Sequence, residues 1–182
     1  MSTTTATPRG LELIAEFVNT LDIEEETDGL STAAGLRDWL SDHDLLPAGA
    51  NVSDQDATSA RQIRESIRAL LWANSGEPVD KSAIAKLNAS AADAHLRVHF
   101  SDDGHSELVP EEGGAPGALG LILGLTYTAM ADDTWPRLKV CREHTCQWAF
   151  YDQSKNRSRT WCSMSVCGNR TKARAYRSRR RG

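Results

Sequence analysis

The segment from Cys141 to Arg170 reads CREHTCQWAFYDQSKNRSRTWCSMSVCGNR and contains all four cysteines of the 182-residue chain. The cysteines form two pairs, each with four residues between its members, and fifteen residues separate the pairs. Two close pairs joined by a short loop are typical of tetrahedral zinc sites, because each pair supplies two thiolates from one turn. The spacing therefore predicts a Zn²⁺ site formed by Cys141, Cys146, Cys162 and Cys167.

Buried free thiols are the alternative to zinc, and His144, between the first two cysteines, is an alternative to one thiolate ligand. Zinc has a physical rationale, because a module of about 40 residues buries too little surface to fold well alone. A structural zinc site contributes on the order of 10–16 kcal/mol of folding free energy in such modules. Four protein thiolates leave no open position on the metal, so we expect a structural rather than a catalytic ion.

The chain begins MSTTTATPRG, which lacks the apolar stretch of a secretory signal peptide. Its longest apolar run, ALGLILGL at 118–125, is short for a bilayer span and is interrupted by glycine. These features predict a cytoplasmic protein with no membrane partner. Glutathione keeps cytoplasmic thiols reduced, which argues against disulfides between the cysteines.

Charge is divided sharply along the sequence. Residues 1–136 carry 8 Lys/Arg and 23 Asp/Glu, a net charge of −15, whereas residues 137–182 carry 13 and 2, a net charge of +11. Such asymmetry indicates an anionic partner for the basic segment. The alternative is that the acidic part holds the basic part within the same molecule. We divide the chain accordingly into an acidic domain, 1–136, and a basic module, 137–182.

Most of the acidic domain has the apolar periodicity of amphipathic helices. Ser31 or Thr32 is the expected N-cap of the second helix, the third begins at Ser53 or Asp54 and ends near Asn74, and Asp80 caps the fourth. The apolar stripes of the four helices are Ile14, Phe17, Val18 and Leu21; Leu36, Trp39 and Leu40; Ala60, Ile63, Ile67, Leu70 and Leu71; and Ile84, Leu87 and Ala91.

The periodicity becomes alternating at HLRVHF, residues 95–100, where Leu96, Val98 and Phe100 predict a half-buried strand. Gly104 can adopt a positive φ in the following turn, and SELV at 106–109 supplies the partner strand. A further helix over 116–131 begins with Pro116 in its first turn. The predicted fold class is α+β, with a mainly helical N-terminal domain that contains a β-hairpin, followed by a compact module.

The C-terminal module closely resembles the CGNR zinc finger, which is named for the tetrapeptide at Cys167–Gly168–Asn169–Arg170 and shares the FYD and WCSM segments. EFVNTLD at 16–22, IRESIRALLWA at 63–73 and Leu87–Asn88 are similar to the pattern of the ABATE domain, a stress-induced transcription regulator that accompanies this finger. The resemblance implies zinc at the four cysteines, a treble-clef-like finger whose second pair leads into a helix, and nucleic-acid binding through the basic tail.

From Asn169 the tail reads NRTKARAYRSRRR, and it is predicted to be helical because it contains no Gly or Pro. A 3.6-residue period places Arg170, Arg174, Arg177 and Arg181 on one stripe and turns Ala173 and Tyr176 toward the finger. A row of guanidiniums suits the backbone or a groove of double-stranded DNA. The predicted nucleic-acid-binding residues are Arg170, Lys172, Arg174, Arg177, Arg179, Arg180 and Arg181.

Other roles of the basic module stay open at this point. A solvated basic tail binds any polyanion through charge alone, and Arg-rich tails bind RNA as well as DNA. An RNA-binding or protein–protein interaction module, with the finger as scaffold, is therefore the main alternative. One short helix reads few bases, so sequence-specific regulation requires a homodimer or a second contact.

We interpret the acidic domain as a sensor or assembly domain with a possible small-molecule effector. The candidate ligand-binding residues are polar and lie beside apolar stripes: Asn19, Arg64, Arg68 and Asn88. The alternative is that each forms ordinary hydrogen bonds at the surface or between helices. His95, His99 and His105 of the predicted hairpin are of a type that binds metal or performs acid–base chemistry, and an exposed hairpin face of mixed charge is the alternative. The chain has no HExxH, nucleophile-elbow or phosphate-loop motif. The predicted function is therefore non-enzymatic: a zinc- and DNA-binding transcriptional regulator.

Overall fold

The computed structural model describes residues 8–180, and it confirms the α+β class with helices predominating. In the described part, the strands pair into three two-stranded antiparallel sheets. The helices are α1 Arg9–Val18, α2 Ala33–Asp42, α3 Asp54–Asn74, α4 Lys81–Asp93, α5 Gly114–Ala131 and α6 Asn169–Arg179. The strands are β1 Leu21–Asp22, β2 Thr27–Asp28, β3 Leu96–Phe100, β4 Ser106–Pro110, β5 Leu138–Val140 and β6 Ala149–Tyr151.

Helix α3 is the central element, and its predicted bounds are confirmed. It begins with a capping box, in which the Ser53 hydroxyl accepts from the Asp56 amide and the Asp56 carboxylate accepts from the Ser53 amide at 2.8 Å. Helices α1, α2, α4 and α5 and strand β5 all pack against it. Its buried apolar residues, such as Ile67 and Leu71, therefore lie at the middle of the main core.

Helix α5 joins that core to the hairpin β3–β4. Gly120 and Gly124 allow strand β4 to lie close to the helix: a Cβ on Gly120 would lie 3.1 Å from the Cβ of Pro110, and one on Gly124 would lie 3.3 Å from the carbonyl oxygen of Leu108. The turn of the hairpin has Gly104 at φ +83°, as expected. In the described part of the chain, α5 is the one helix long and apolar enough to cross a membrane, and 56% of that segment is buried inside the protein.

Three details of the sequence interpretation of residues 1–136 are wrong. Leu21 lies in strand β1 because helix α1 ends at Val18. Ala91 is exposed, and it is Ala83 that helix α4 buries. The apolar face of strand β3 is largely open, with Val98 57% and Phe100 75% exposed, because helix α5 packs mainly against the neighbouring strand β4.

The basic module shares the core of the acidic domain. Leu138 and Val140 of β5 and Ala149 of β6 are buried in the same cluster as residues of α1, α3 and α5. Strand β5 packs on α3 and strand β6 on α1. The division at residue 136 stays a prediction, and the chain on both sides of it packs into one apolar cluster.

Buried polar side chains reinforce this junction. Asn19 forms both hydrogen bonds of a strand-like pair with Ala149, donating to its carbonyl at 3.0 Å and accepting from its amide at 2.7 Å. The Arg68 guanidinium donates to the carbonyls of Val18 and Gln147 at 2.7 and 2.9 Å. These bonds give polar groups at the interface the partners that burial requires.

Asn19→Ala is expected to lower the free energy of unfolding by about 2 kcal/mol, because it leaves the amide and carbonyl of Ala149 without their partners in a partly buried place. Asn88→Ala, at an exposed position of α4, is the matched control and is expected to change stability by less than about 0.5 kcal/mol. Urea denaturation measures both; equal stabilities of the two variants would contradict the bridging role of Asn19.

Candidate metal centre and nucleic-acid interface

The four cysteine thiols meet at one point. Their sulfur atoms all lie within 4.8 Å of one another, and the Sγ atom of Cys162 lies 3.6 Å from that of Cys146 and 3.7 Å from that of Cys167. In the described part of the chain, no other group of three or more Cys, His, Asp or Glu side chains brings its ligand atoms together in this way. The cysteine pairs predicted from spacing are thus adjacent in space.

Local structure explains how the two pairs reach each other. Cys141 follows strand β5, and a turn in which the Cys146 amide donates to the Glu143 carbonyl at 2.8 Å returns the chain to β6. The Arg142 amide donates to the Thr160 carbonyl and holds the second pair beside the first. Cys167 lies in a single π-helical turn, Met164–Gly168, which leads directly into α6. A hairpin and a helix after the second pair are the elements expected of a treble-clef-like finger.

The sulfur distances fit a metal site. A tetrahedron with metal–sulfur bonds of about 2.3 Å has sulfur–sulfur edges of about 3.8 Å, whereas a disulfide would hold two sulfurs about 2.05 Å apart. Burial and the neighbouring thiols raise the pKa of Cys162 and bring that of Cys167 to about 12. Four thiols this close cannot all ionise at neutral pH unless a cation compensates them. The cluster is therefore a metal-binding site for a cation that prefers tetrahedral thiolate ligands.

Both acidic residues of the basic module are internal. Asp152 is fully buried and accepts from the Lys139 ammonium at 2.8 Å and from the amides of Ser154 and Arg159 at 2.9 Å. Burial alone would raise the pKa of Asp152, but these donors lower it to about 2. The carboxylate therefore stays charged and organises the loop between β6 and the second cysteine pair.

Glu143 connects the metal centre to the basic helix. Its side chain is 1% exposed and accepts from Arg174 at 2.6 Å through both carboxylate oxygens and from the Thr171 hydroxyl at 3.1 Å. The hydrogen bonds from Arg174 and Thr171 outweigh burial and lower the pKa of Glu143. Sequence interpretation missed this residue, although an acidic residue between two cysteines in a strongly basic segment is a signal that could have found it.

A second carboxylate, from the acidic domain, holds the start of helix α6. Glu24, in the β1–β2 turn, accepts two hydrogen bonds from the Arg170 guanidinium, at 2.7 and 3.0 Å. The bonds from Arg170 lower the pKa of Glu24. A second pair of this kind joins Arg142 to Glu77 at 2.5 Å. Charge attraction between the two parts of the chain, raised above as an alternative, thus operates at two specific pairs.

The orientation of α6 differs from the expected one. The guanidiniums of Arg170 and Arg174 reach carboxylates of the protein, although the Arg174 side chain is itself 55% exposed. Ala173 and Tyr176, which were expected to face the finger, are both exposed. The helix buries no residue, so ion pairs rather than apolar packing fix its rotation. Lys172, Arg177, Arg179 and Arg180 are exposed, and Arg181 lies outside the described residues.

The four candidate ligand-binding residues do not line a common pocket. Arg64 is buried and paired with Asp28 at 2.6 Å, and Arg68 and Asn19 form the junction described above, while Asn88 is exposed on α4. A cavity of about 110 Å³ lies between α3, α4 and α5, and none of the four residues lines it. Its lining residues are Asp56, Ser59, Ile63, Ser90, Asp93, Ala94, Pro116, Leu119, Gly120 and Leu123.

The histidines of the hairpin do not converge on one centre. His95, His99 and His105 have side chains that are 60%, 45% and 84% exposed, and each lies beside a different carboxylate. Each of these pairs has the geometry of an ordinary surface contact, with nitrogen–oxygen distances of 3.3–4.0 Å.

These features define a metal-binding finger that is docked on a mainly helical domain. Residues 137–180 match the model of the CGNR zinc finger family, and residues 11–133 match that of the ABATE domain, described as "Putative stress-induced transcription regulator". Because the second match covers more than half of the chain, the protein belongs to the ABATE family and carries a CGNR zinc finger. A search of curated proteins gives no match to the chain. Neither of the two matched families is an enzyme family.

Removing the metal with a chelator is expected to disorder the second cysteine pair and α6 but to leave β5 folded, because β5 belongs to the main apolar core. In ¹H–¹⁵N NMR spectra, signals of residues 160–179 should move to random-coil positions while those of 138–140 stay dispersed. Cys162→Ser should give the same pattern without chelator, and Ser158→Ala, at an exposed loop position, should not. An unchanged spectrum after chelation would show that the thiol cluster holds no structural metal.

Proposed function

We propose that this protein is a zinc-dependent DNA-binding regulator of transcription, in which a structural Zn²⁺ on the four cysteines orients a basic helix toward double-stranded DNA. The observation that carries the proposal is the position of α6: it begins two residues after Cys167 and exposes a series of cationic side chains. The family description of the acidic domain supports the same role.

Zinc is the metal that suits this donor set best. Thiolates favour zinc over the hard cations Mg²⁺ and Ca²⁺, which prefer oxygen ligands. The four cysteines fill a tetrahedral shell, so the ion would have no position for water or substrate. A tetrathiolate zinc site has a net charge of −2, which the net charge of +11 of residues 137–182 would offset. Its contribution is the folding of the finger, and we propose no catalytic activity.

DNA is the partner that the charge distribution favours. Residues 137–182 have a net charge of +11, and both of their carboxylates are already paired internally. The exposed cations of α6 thus carry charge that the described part of the protein does not neutralise. Arginine binds phosphate in a bidentate manner and also recognises guanine, which suits a duplex.

The acidic domain supplies what a single short helix lacks. We propose that it acts as a sensor or assembly domain in the cytoplasm, where a small effector in the 110 Å³ cavity or formation of a homodimer would control DNA binding. A dimer would place two copies of α6 on neighbouring half-sites and so extend the sequence that is read.

The zinc-loaded chain is expected to select a defined motif from a randomised pool of duplex DNA at about 150 mM salt, with RNA as competitor. Sequencing of the bound fraction measures the enrichment, and the chelated protein is the control. Equal binding to unrelated DNA, RNA and heparin would contradict the proposal and favour an RNA-binding or protein-interaction module. No binding by either the zinc-loaded or the chelated form would exclude a nucleic-acid role.

A further inference from the structure

The basic residues of α6 fall into two groups with different partners. Arg170 and Arg174 are four residues apart and therefore lie on one face of the helix. Each of them is bound to a carboxylate through two hydrogen bonds, of 2.7 and 3.0 Å for Arg170 and of 2.6 Å for both bonds of Arg174. Among the described residues, these are the two members of α6 that pair with a carboxylate. We call this face the clamp.

The opposite side of the helix consists of Lys172, Tyr176, Arg179 and Arg180, here called the free face. At 100° per residue, its centre lies about 150° around the helix from the clamp. All four residues are exposed, and the Arg180 guanidinium lies 5.4 Å from the centroid of the Tyr176 ring. Arg177 lies beside the clamp, and its Nε atom donates to the carbonyl of Ala173 in its own helix.

The clamp determines which side of the helix can meet a ligand. Because α6 buries no residue, its rotation depends on its direct continuation from the Cys167 turn, on the two ion pairs and on the hydrogen bond from Thr171 to Glu143. Glu143 is 1% exposed, so a phosphate could displace it from Arg174 only by leaving a buried carboxylate without its cation. Such a loss costs about 3–5 kcal/mol. A phosphate at Arg170 would likewise compete with Glu24, so neither clamp arginine offers an unpaired charge to DNA, although the Arg174 side chain is 55% exposed.

The free face has the chemistry and the length for a DNA backbone. Lys172 and Arg180 are eight residues apart, which corresponds to about 12 Å along a helix. Phosphates of one strand of B-DNA follow each other at about 3.4 Å along the axis, so the face spans on the order of three base-pair steps. The Tyr176 hydroxyl and the three cations are all donors of the kind that bind phosphate oxygens.

We propose that Lys172, Tyr176, Arg179 and Arg180 form the surface that contacts double-stranded DNA, and that Arg170 and Arg174 are positioning residues that hold α6 in the required rotation. This inference rests on the proposed DNA-binding function. It places six of the seven predicted nucleic-acid-binding residues: Lys172, Arg179 and Arg180 in a contact group to which Tyr176 is added, Arg170 and Arg174 in a positioning group, and Arg177 at the edge between them.

The test uses the salt dependence of DNA binding, which counts phosphate contacts independently of affinity. The logarithm of the binding constant falls with the logarithm of salt concentration with a slope of about 0.9 per phosphate neutralised. Fluorescence anisotropy of the full-length, zinc-loaded chain with a random-sequence duplex gives this slope between about 50 and 200 mM salt. Two double variants remove equal charge: Arg179→Ala with Arg180→Ala on the free face, and Arg170→Ala with Arg174→Ala in the clamp.

The free-face variant is expected to reduce the slope by about 1.8 and to weaken binding about tenfold at the higher salt concentration. The clamp variant is expected to leave the slope within about 0.5 of the wild-type value, even where its affinity falls because the helix is less ordered. Arg179→Lys with Arg180→Lys, which keeps both charges, should retain the slope. Zinc content and circular dichroism confirm that each variant is folded.

The outcomes separate the inference from the function on which it rests. The assignment of the two faces would be overturned if the salt-dependence slope fell by about 1.8 in the clamp variant and stayed unchanged in the free-face variant. Equal decreases of the slope in both variants would overturn it as well. A wild-type protein that binds no duplex, or that binds RNA alone, would reject the proposed DNA-binding function and the inference with it.

Discussion

Four thiols within 4.8 Å of one another impose the constraint on which the C-terminal part of the protein depends. Four thiolates this close repel one another unless a cation compensates them. The two chain segments that carry the thiols share little apolar surface, because the finger's own core consists of Cys141, Phe150 and Cys167. A metal ion on the four thiols would replace that missing core by joining the β5–β6 hairpin to the start of α6. Everything beyond Cys162 is positioned by this link and by a few ion pairs.

The finger and the acidic domain form one structure because the hairpin contributes to both. Strand β5 lies in the main core on α3, while the residue that follows it, Cys141, belongs to the cluster of four thiols. Asn19 and Arg68 then satisfy backbone groups of the second strand and the turn before it. The acidic character of the N-terminal part has a specific use at Glu24 and Glu77, which pair with Arg170 and Arg142 of the basic module.

The sequence was informative where a property is local or follows a fixed geometry. Cysteine spacing located the metal centre, and apolar periodicity with the cap at Ser53 predicted the bounds of α3. The rotation of α6 could not be predicted, because periodicity shows which arginines share a face but not which face meets a carboxylate from residue 24 or 143. In the same way, Arg64 and Arg68 looked like pocket residues because a charged residue next to an apolar stripe is ambiguous until its long-range partners are known. Phe100 is exposed because helix α5 packs mainly against strand β4 and not against β3, a choice that no local pattern encodes.

The most direct test of this account is native-state hydrogen exchange of the intact, zinc-loaded chain, comparing the amides of strand β5 with those in the middle of α3. If the finger's hairpin belongs to the same cooperative unit as the helical domain, the slowest amides of the two elements will exchange with the same free energy of opening. A destabilising substitution in α3 will then lower the free energies of opening of α3 and β5 by the same amount. Exchange of β5 at a distinctly lower free energy, unchanged by a substitution in α3, would contradict the account and make the finger an independently folding module.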